Sequence, residues 1–334
     1  MANSVLALDI GGANLKAAHS AGVAWLQPFE LWKNPAGLAD ALRQLICKSL
    51  PYDLLVVTMT GELCDCFETR RQGVHAILDA VEATADGVPV RVWLNDGRFV
   101  DLSSARAVPL QVAAGNWLAL ATFAGRLAPA GPALVVDIGS TTSDIVPLLD
   151  GKPVPQGRTD RERLKSRELV YTGVRRSPLC ALLGADGAAE WFATTLDAYL
   201  VLDDLPESDT DRGTADGRPA TRSAASGRIA HMLCADRETC TETDILELAS
   251  EVRRRQMELV RRAVEYVAAT LPLMPATVVL AGTGEFLARQ ALAMSPRWDL
   301  ELISLAGRLG ADISQAACAY ALAILAAEQI IHGR

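Results

Sequence analysis

The 334-residue sequence has few aromatic residues, few histidines and no excess of positive charge. Its four histidines and seven scattered cysteines include no Cys-x-x-Cys pair, which disfavours zinc at Cys64-Asp65-Cys66 or at His231, Cys234 and Cys240. The net charge of −8 disfavours a nucleic-acid partner, because such a partner requires a basic face. The longest apolar run, near Cys318–Ala327, is too short to span a bilayer.

Signatures of two common enzyme classes are also missing. The sequence has no Gly-x-Ser-x-Gly elbow, which disfavours an α/β-hydrolase. Gly282-x-Gly284 is followed by Leu287 where a nicotinamide-binding Rossmann turn has its third glycine. No basic segment followed by an apolar stretch precedes the first apolar strand, so we expect no signal peptide. The sequence therefore predicts a cytoplasmic protein with reduced thiols and no membrane or nucleic-acid partner.

The apolar content is sufficient for two domains. Half of the residues are hydrophobic and 22% are charged, and a chain of this length usually folds as two domains. Apolar spacing predicts helices over 34–49, 70–85, 110–127, 244–271 and 314–331, and strands over 53–57 and 88–94. The periodicity breaks over 150–243, which we interpret as an insertion of short helices with a mobile loop around 207–219.

The most informative stretch is Ala133–Leu149. An apolar strand ends at Asp137, a small polar turn follows, and the strand resumes after Asp144. Backbone N–H groups and hydroxyls of such a turn can surround a phosphate, and the two aspartates can hold a bridging Mg²⁺. An ordinary β-hairpin has the same pattern. The candidate ligand-binding residues of this second turn are Gly139, Ser140, Thr141 and Thr142.

A second copy of this pattern begins at Ser4. An apolar strand leads into Asp9-Ile10-Gly11, a small polar turn follows, and a strand resumes near Lys16. Two such turns predict two similar domains that face each other across one ligand, with Asp9 and Asp137 sharing a metal ion. The candidate ligand-binding residues of this first turn are Gly11, Gly12, Asn14 and Lys16.

A third element is the strand and Gly-x-Gly turn over 277–285, which contains Gly282 and Gly284. In this order the three motifs resemble those of the actin, sugar-kinase and heat-shock-protein-70 ATPase superfamily, where the third serves the nucleoside end. The resemblance implies an α/β fold with two RNase H-like domains, over residues 1–130 and 131–309. It also places the insertion at about 150–243 in the second domain and lets a closing helix at about 310–334 pack back on the first.

A narrower resemblance covers nearly the whole chain. Its motifs are Thr58-Met59-Thr60-Gly61-Glu62-Leu63, Ala114-Gly115-Asn116-Trp117, Tyr171–Leu179, Asp204–Glu207 and Ala215–Pro219. They resemble the hydantoinase/oxoprolinase-related proteins of the tetrahydromethanopterin-linked one-carbon pathway, whose archaeal relatives are a methanofuran biosynthesis enzyme. The resemblance implies a transferase that joins an aminomethylfuran methyl diphosphate to the phenol of a glutamyl-tyramine or tyrosine-type acceptor and releases diphosphate. Bacteria with this pathway make an analogue, so the acceptor stays open.

The implied reaction indicates which residues are useful. Mg²⁺ at Asp9 and Asp137, and N–H donors, would stabilise the departing diphosphate, and Arg175 and Arg176 are candidate anion contacts. A phenol, with a pKa of about 10, also requires a proton acceptor. The sequence does not choose among the candidates for that role, which are Asp9, Glu62, Asp96 and Asp144.

Two other functions use the same motifs. An ATP-dependent kinase or hydrolase would explain Gly282-Thr283-Gly284, which a short diphosphate does not require. A nucleotide-binding sensor or assembly protein without catalysis would also suit two domains hinged over a ligand. ATP is not required in the favoured interpretation, and the sequence leaves the oligomeric state open, including a homo-oligomer.

Overall fold

The computed structural model describes residues 4–295 and 298–332 and contains two mixed β-sheets. The first sheet has the order β3-β2-β1-β4-β5-β6. In it β1 is antiparallel to β2 and parallel to β4. Its strands are β1 (Val5–Ile10), β2 (Asn14–His19), β3 (Val23–Pro28), β4 (Leu54–Met59), β5 (Val90–Trp93) and β6 (Phe99–Val100).

The second sheet repeats the arrangement of the first. Its strands are β7 (Pro132–Ile138), β8 (Ser143–Leu149), β9 (Lys152–Pro153), β10 (Leu169–Val170), β11 (Thr277–Ala281) and β12 (Glu301–Ser304). Their order is β10-β8-β7-β11-β12, with β9 paired to β8, and β7 is antiparallel to β8 and parallel to β11. Thus β7, β8 and β11 correspond to β1, β2 and β4. This repeat confirms the fold predicted from the two similar turns.

Helices connect and cover the sheets. The first part of the chain has α1 (Leu38–Ile46), α2 (Arg70–Glu82), α3 (Leu102–Ala107), α4 (Pro109–Val112) and α5 (Asn116–Ala124). The second part has α6 (Asp160–Lys165), α7 (Leu179–Leu183), α8 (Thr195–Val201), α9 (Arg222–Met232), α10 (Glu242–Ala268), α11 (Glu285–Ala293), α12 (Leu305–Leu309), α13 (Ala311–Gln315) and α14 (Ala317–His332). Helix α14 packs on β1, β2, β4 and α5, so the end of the chain returns to the first sheet.

One buried core lies between the two sheets. It contains Ala7 from β1, Val135 from β7 and apolar side chains of α5 and α14. Side chains alternate between the two faces of a strand, so residues two apart point the same way. Asp9 therefore points into the same inter-sheet space as Ala7, and Asp137 into the same space as Val135. The fold brings both aspartates to one region.

The prediction of one helix over 110–127 is wrong in one respect. The helix is interrupted between α4 and α5, where Ala114 has a φ of +50°. Asn116 consequently begins a helix instead of lying inside one. This break places the N-terminus of α5 at the end of β1 that carries Asp9. Apolar spacing continues across the break, because α5 is buried on most sides, and it gave no sign of the interruption.

The insertion is more ordered than its composition suggests. Three of its helices, α7, α8 and α9, form a separate apolar core with α10, which includes Leu179, Leu196, Ile229 and Leu248. The loop around 207–219 is attached to this core, because Asp216 pairs with the buried Arg228 at 2.9 Å. Ion pairs between distant residues leave no periodic signal, so the sequence pattern does not reveal them. In the described part of the chain, no helix is long and apolar enough to cross a membrane.

Candidate functional site

The two polar turns have the same backbone geometry. In turn 1 (residues 11–14) the Gly11 N–H donates to the Asn14 carbonyl at 3.0 Å, and in turn 2 (residues 139–142) the Gly139 N–H donates to the Thr142 carbonyl at 2.9 Å. Between these ends, the next two N–H groups of each turn donate to no acceptor within residues 4–295 and 298–332. Two short rows of free N–H groups are therefore available to an anion.

An aspartate lies two positions before each turn, and the residue opposite it in the neighbouring strand differs between the two halves. Asp9 lies opposite Lys16, whereas Asp137 lies opposite Asp144. The Lys16 Nζ is 3.7 Å from Asp9 Oδ2. Burial alone would lower the pKa of Lys16, but the charges of Asp9 and Asp137 raise it above its ordinary value. Lys16 is thus a cation shared by both halves.

Asp9 is buried but incompletely satisfied. Its Oδ1 has no hydrogen-bond partner in the described structure. Burial raises the pKa of Asp9, and the charge of Lys16 opposes this shift. A buried carboxylate oxygen without a donor is costly unless a ligand or ion supplies one. Asp9 therefore fits a cation site.

Asp137 has an even more perturbed carboxylate. Burial, followed by the charge of Asp144, raises its pKa to about 7, and Asp9 adds to the shift. The contribution of Asp9 to the raised pKa of Asp137 is consistent with both side chains pointing into the space between the sheets. Gly282, with a φ of +81°, lies against Asp137, and a Cβ there would come within 2.4 Å of its Oδ1. Any side chain at Gly282 would displace this carboxylate.

Asp144 is held by an arginine from the insertion. Arg163 Nη1 donates to Asp144 Oδ1 at 2.8 Å, and its guanidinium lies 4.0 Å from the centre of the Trp117 ring. Burial raises the pKa of Asp144, and Arg163 opposes the shift. The paired oxygen makes Asp144 a poor proton acceptor. Sequence reasoning assigned no role to Arg163 because it lies in a strongly charged, apparently solvated segment.

Glu62 is the fourth carboxylate of the site and, like Asp9, is buried. It lies in the loop after β4 and is 1% exposed, and its Oε2 has no hydrogen-bond partner among the described residues. Arg70 Nε lies 3.5 Å from its Oε1, and the same guanidinium binds Asp160 of the insertion at 2.8 Å. Burial raises the pKa of Glu62 to about 7. Glu62 can therefore exchange a proton near neutral pH.

Asp96 lies apart from these carboxylates. It is in the exposed turn between β5 and β6, and its Oδ2 pairs with Arg98 at 2.6 Å. The structure shows no hydrogen bond between Asp96 and either polar turn in the part of the chain that it describes. Its geometry is that of a surface turn.

The two adjacent arginines have different surroundings. Both backbone N–H groups donate to the Ser140 carbonyl of turn 2, at 3.0 Å from Arg175 and 2.9 Å from Arg176. The Arg175 side chain pairs with Asp211. The Arg176 guanidinium instead lies 4.6 Å from the centre of the Trp32 ring and has no carboxylate or hydrogen-bond partner in the described ranges. Arg176 is therefore the cation that remains available to an anion.

Arg176 also connects the two halves of the site. Trp32 follows Leu31, whose N–H donates to the Gly12 carbonyl of turn 1 at 2.9 Å. Arg176 thus has its backbone on turn 2 and its side chain beside the segment that supports turn 1. A ligand held by both turns would lie near this guanidinium.

Gly282 and Gly284 are explained by close packing at the end of β11. The Gly284 N–H donates to the Ile138 carbonyl at 2.9 Å, and a Cβ at Gly284 would come within 2.4 Å of the Ile138 side chain. The next residue, Glu285, accepts hydrogen bonds from Ser304 and from the Ala306 N–H. These contacts occupy the start of α11 and tie it to α12.

Three residues near Asp9 received no individual role from the sequence. Thr58 lies beside Asp9 in the parallel strand pair, and its buried Oγ1 has no partner in the described structure. The Asn116 side chain favours the charged form of Asp9, and the Cys318 thiol of α14 is buried close to both Asp9 and Asp137. Thr58 and Asn116 lie within the motifs that carry the family resemblance, and this position was the sequence signal that could have marked them as site residues.

The described residues contain no group of three or more His, Cys, Asp or Glu side chains placed to hold a metal ion. Mg²⁺ bound mainly through a phosphate requires only one or two carboxylates and retains several waters. Asp9, with its unpartnered Oδ1, and Asp137, whose carboxylate accepts no hydrogen bond from the described residues, have the donor type that this ion prefers.

Comparison with known proteins identifies one relative that matches nearly the whole chain and another that matches just over half of it. The chain is 33% identical over 337 residues to the (4-{4-[2-(γ-L-glutamylamino)ethyl]phenoxymethyl}furan-2-yl)methanamine synthase of Methanocaldococcus jannaschii, and the match covers 98% of both chains. It is 33% identical over 201 residues to the enzyme of the same name from Methanococcus vannielii, covering 58% of this chain and 89% of that one.

Among solved structures, nucleotide-free acetone carboxylase matches 97% of this chain and 70% of its own, with a TM-score of 0.57 and 10% identity. This likeness supports the fold alone. The sequence model of the hydantoinase/oxoprolinase family matches residues 53–329. That match, which covers most of the chain, shows that the chain belongs to the hydantoinase/oxoprolinase family.

Proposed function

We propose that this protein is a transferase in the biosynthesis of methanofuran or a bacterial analogue. It would join an aminomethylfuran methyl diphosphate to the phenol of a glutamyl-tyramine or tyrosine-type acceptor and release diphosphate. The observation that carries the proposal is the 33% identity, over 98% of the chain, to a synthase whose named product contains a phenoxymethylfuran ether. The candidate site also supports the proposal, because it contains hydrogen-bond donors for a departing diphosphate and a carboxylate that can accept the phenol proton.

The reaction makes one C–O bond and breaks another. The bond between the furan methylene and diphosphate breaks, and its electron pair leaves with the diphosphate. The phenol oxygen bonds to the methylene and loses its proton. Positive charge develops on carbon and negative charge on the leaving group, so donors aimed at the diphosphate accelerate the reaction.

The proposed diphosphate site consists of the free N–H groups of both turns, together with Lys16 and Arg176. Mg²⁺ would be held by Asp9 and Asp137 and would neutralise charge on the diphosphate. The need for a cation follows from the local charges, because Asp137 lies opposite Asp144 and is also influenced by Asp9, while one lysine, Lys16, acts on all three carboxylates. A diphosphate placed there without a metal ion would be repelled.

Glu62 is the proposed proton acceptor for the phenol. Of the four carboxylates considered from the sequence, Asp96 and Asp144 accept hydrogen bonds from arginines, and Asp9 is assigned to the metal. Arg70 lies 3.5 Å from Glu62, but its hydrogen bond goes to Asp160. Glu62 retains an unpartnered oxygen and has a pKa of about 7. A pKa near the working pH is the most effective value for a general base.

An ATP-dependent kinase or hydrolase is the second candidate. The observation that favours it is the Gly282-Thr283-Gly284 turn at the end of β11, at the position where a nucleoside would extend beyond the two phosphate turns. In that function the turns would hold the β- and γ-phosphates of ATP. A nucleotide-binding protein without catalysis would use the same contacts and change shape on binding.

The deciding experiment is an ATP-omission assay. The purified protein is incubated with Mg²⁺, the aminomethylfuran methyl diphosphate and the phenolic acceptor, with or without ATP, and the coupled product is measured by mass spectrometry. We expect one diphosphate per ether formed, at the same rate without ATP, because the electrophile already carries its leaving group. Coupling that depends strictly on ATP, or ATP consumption without a coupled product, would overturn the transferase.

A further inference from the structure

Gln256 is a fully buried polar residue on the apolar face of α10. Val252 and Val260, one turn before and after it, are buried core residues, as is expected of that face. A buried amide is tolerated only when its donors and acceptor are satisfied. The Gln256 Nε2 donates to Thr172 Oγ1 and to the Gly173 carbonyl, both at 2.8 Å, and its Oε1 accepts from the Tyr199 hydroxyl. Every polar group of this amide is therefore used.

The two residues to which Gln256 donates support turn 2 from behind. A Cβ at Gly173 would come within 2.5 Å of the Ser140–Thr141 peptide, so the two backbones are in direct contact. The next residue, Val174, donates its N–H to the Gly139 carbonyl at 3.0 Å. Ser143 Oγ, just after the turn, donates to the Thr172 carbonyl at 2.7 Å. The segment 172–176 thus forms a backing layer for turn 2.

The same segment carries Arg176. Its backbone N–H is bonded to the Ser140 carbonyl, and its guanidinium is the cation beside Trp32 that has no ion-pair partner among the described residues. A displacement of the segment would therefore move the free N–H groups of turn 2 and the arginine together. The buried amide of α10 supplies the side-chain hydrogen bonds that connect this segment to the long helix, and Thr195 of α8 also donates to the Gly173 carbonyl, at 2.8 Å.

We infer that Gln256 is a positioning residue for the diphosphate half of the site. Its two donated hydrogen bonds hold Thr172 and Gly173 against turn 2, and they thereby fix the N–H donors and Arg176 in one arrangement. The identity of the ligand in this inference rests on the proposed function. The inference predicts that loss of the Gln256 amide weakens the binding of diphosphate and leaves the binding of the phenolic acceptor unchanged, because the acceptor interacts with other groups.

The test uses Gln256→Leu, which keeps a similar volume and removes both donors as well as the acceptor of the Tyr199 hydroxyl. We expect the KM for the aminomethylfuran methyl diphosphate and the Kd for Mg²⁺-diphosphate to rise about 10-fold, because the two buried hydrogen bonds to segment 172–176 are removed. The KM for the phenolic acceptor should change less than about 2-fold, within the effect of one weak contact. Calorimetry with Mg²⁺ and inorganic diphosphate measures binding without catalysis. It therefore still gives the diphosphate affinity if the protein does not catalyse the transferase reaction.

The matched control is Val260→Ala, a substitution on the same buried face of α10 that leaves the hydrogen bonds to segment 172–176 in place. It should lower Tm while leaving both KM values and the diphosphate Kd unchanged. Hydrogen exchange of the Val174 and Arg176 amides, which donate to the Gly139 and Ser140 carbonyls of turn 2, provides a readout independent of any ligand. It should be faster in Gln256→Leu but not in Val260→Ala. Thr172→Val, which removes one of the two acceptors, replaces Gln256→Leu if that variant does not fold.

The inference is overturned if Gln256→Leu behaves like Val260→Ala, with a lower Tm, unchanged exchange of the Val174 and Arg176 amides and unchanged diphosphate affinity. An equal loss for diphosphate and acceptor would overturn it as well, because that result indicates a general disturbance of the core. If wild-type protein binds no diphosphate and makes no ether, the proposed function fails, while faster amide exchange in Gln256→Leu alone would still support the positioning role.

Discussion

The two adjacent arginines of the insertion allow a sharp test of the diphosphate site. Arg176→Ala removes a guanidinium that stacks on Trp32 and has no ion-pair partner in the part of the chain described by the structure. Arg175→Ala removes one that is already paired with Asp211. Both variants keep the backbone N–H bonds to Ser140. The two variants therefore compare a side chain that is available to a ligand with a neighbouring one that is already paired.

The expected magnitude depends on the kind of interaction that each substitution removes. A hydrogen bond to a charged group contributes about 1.5–3 kcal/mol, which corresponds to about 10- to 100-fold in affinity. Arg176→Ala should weaken Mg²⁺-diphosphate binding by that factor. Arg175→Ala breaks a half-exposed ion pair, whose contribution to stability is about 0.2–1 kcal/mol, and should leave diphosphate affinity within about 2-fold of wild type.

Calorimetry with Mg²⁺-diphosphate at two salt concentrations is the appropriate assay. Part of the Arg176 contribution is electrostatic, so wild-type affinity should fall with salt more steeply than that of Arg176→Ala. Steady-state KM values for the furan diphosphate should follow the same order. Equal effects of the two substitutions, or a larger effect of Arg175→Ala, would refute the assignment of Arg176 and show that the ion pair with Asp211 is the functional feature.

Two further substitutions test the turns themselves. Asp137→Asn should lower turnover by about 100-fold or more while the protein stays folded. Burial raises the Asp137 pKa from 3.8 to about 7, so between these pH values the folded protein keeps a proton that the unfolded chain has lost. Wild-type stability should therefore fall as pH rises through this window, and the Tm of Asp137→Asn should fall less. A variant that loses Tm but keeps its specific activity would identify Asp137 as structural. Gly173→Ala should abolish diphosphate binding, because its Cβ would clash with the Ser140–Thr141 peptide. Gly227→Ala should bind diphosphate normally, because the atom nearest to its Cβ would be 3.7 Å away. Equal diphosphate affinity of the two alanine variants would contradict the backing role of segment 172–176.

Much of the fold follows from local sequence patterns. Each Asp-Ile-Gly turn ends one apolar strand and begins another, and the structure places both between paired strands with the same backbone bond. Strand alternation then directs Asp9 and Asp137 to the same side as Ala7 and Val135. These features depend on residues close together in the chain, so a local pattern is sufficient to predict them.

The roles of individual charged residues required the tertiary structure. Arg175 and Arg176 are neighbours of the same type, yet one is paired with Asp211 and the other lies over Trp32. Likewise, Asp144 is paired with Arg163, whereas Glu62 keeps an oxygen that has no partner among the described residues. A pairing of this kind depends on which distant side chains the fold brings within hydrogen-bond reach, and no periodicity records it.

By itself, the sequence determined two repeated turns, their aspartates and the sheet strands around them, because strand and turn formation depends on neighbouring residues. Only the tertiary structure decided which carboxylates are buried without partners and which arginine is available. It also revealed the hydrogen bonds between Gln256 and the back of turn 2, across 84 and 83 positions of the chain. Burial and hydrogen-bond partners are properties of the packed molecule, since they exist only after distant segments have come together.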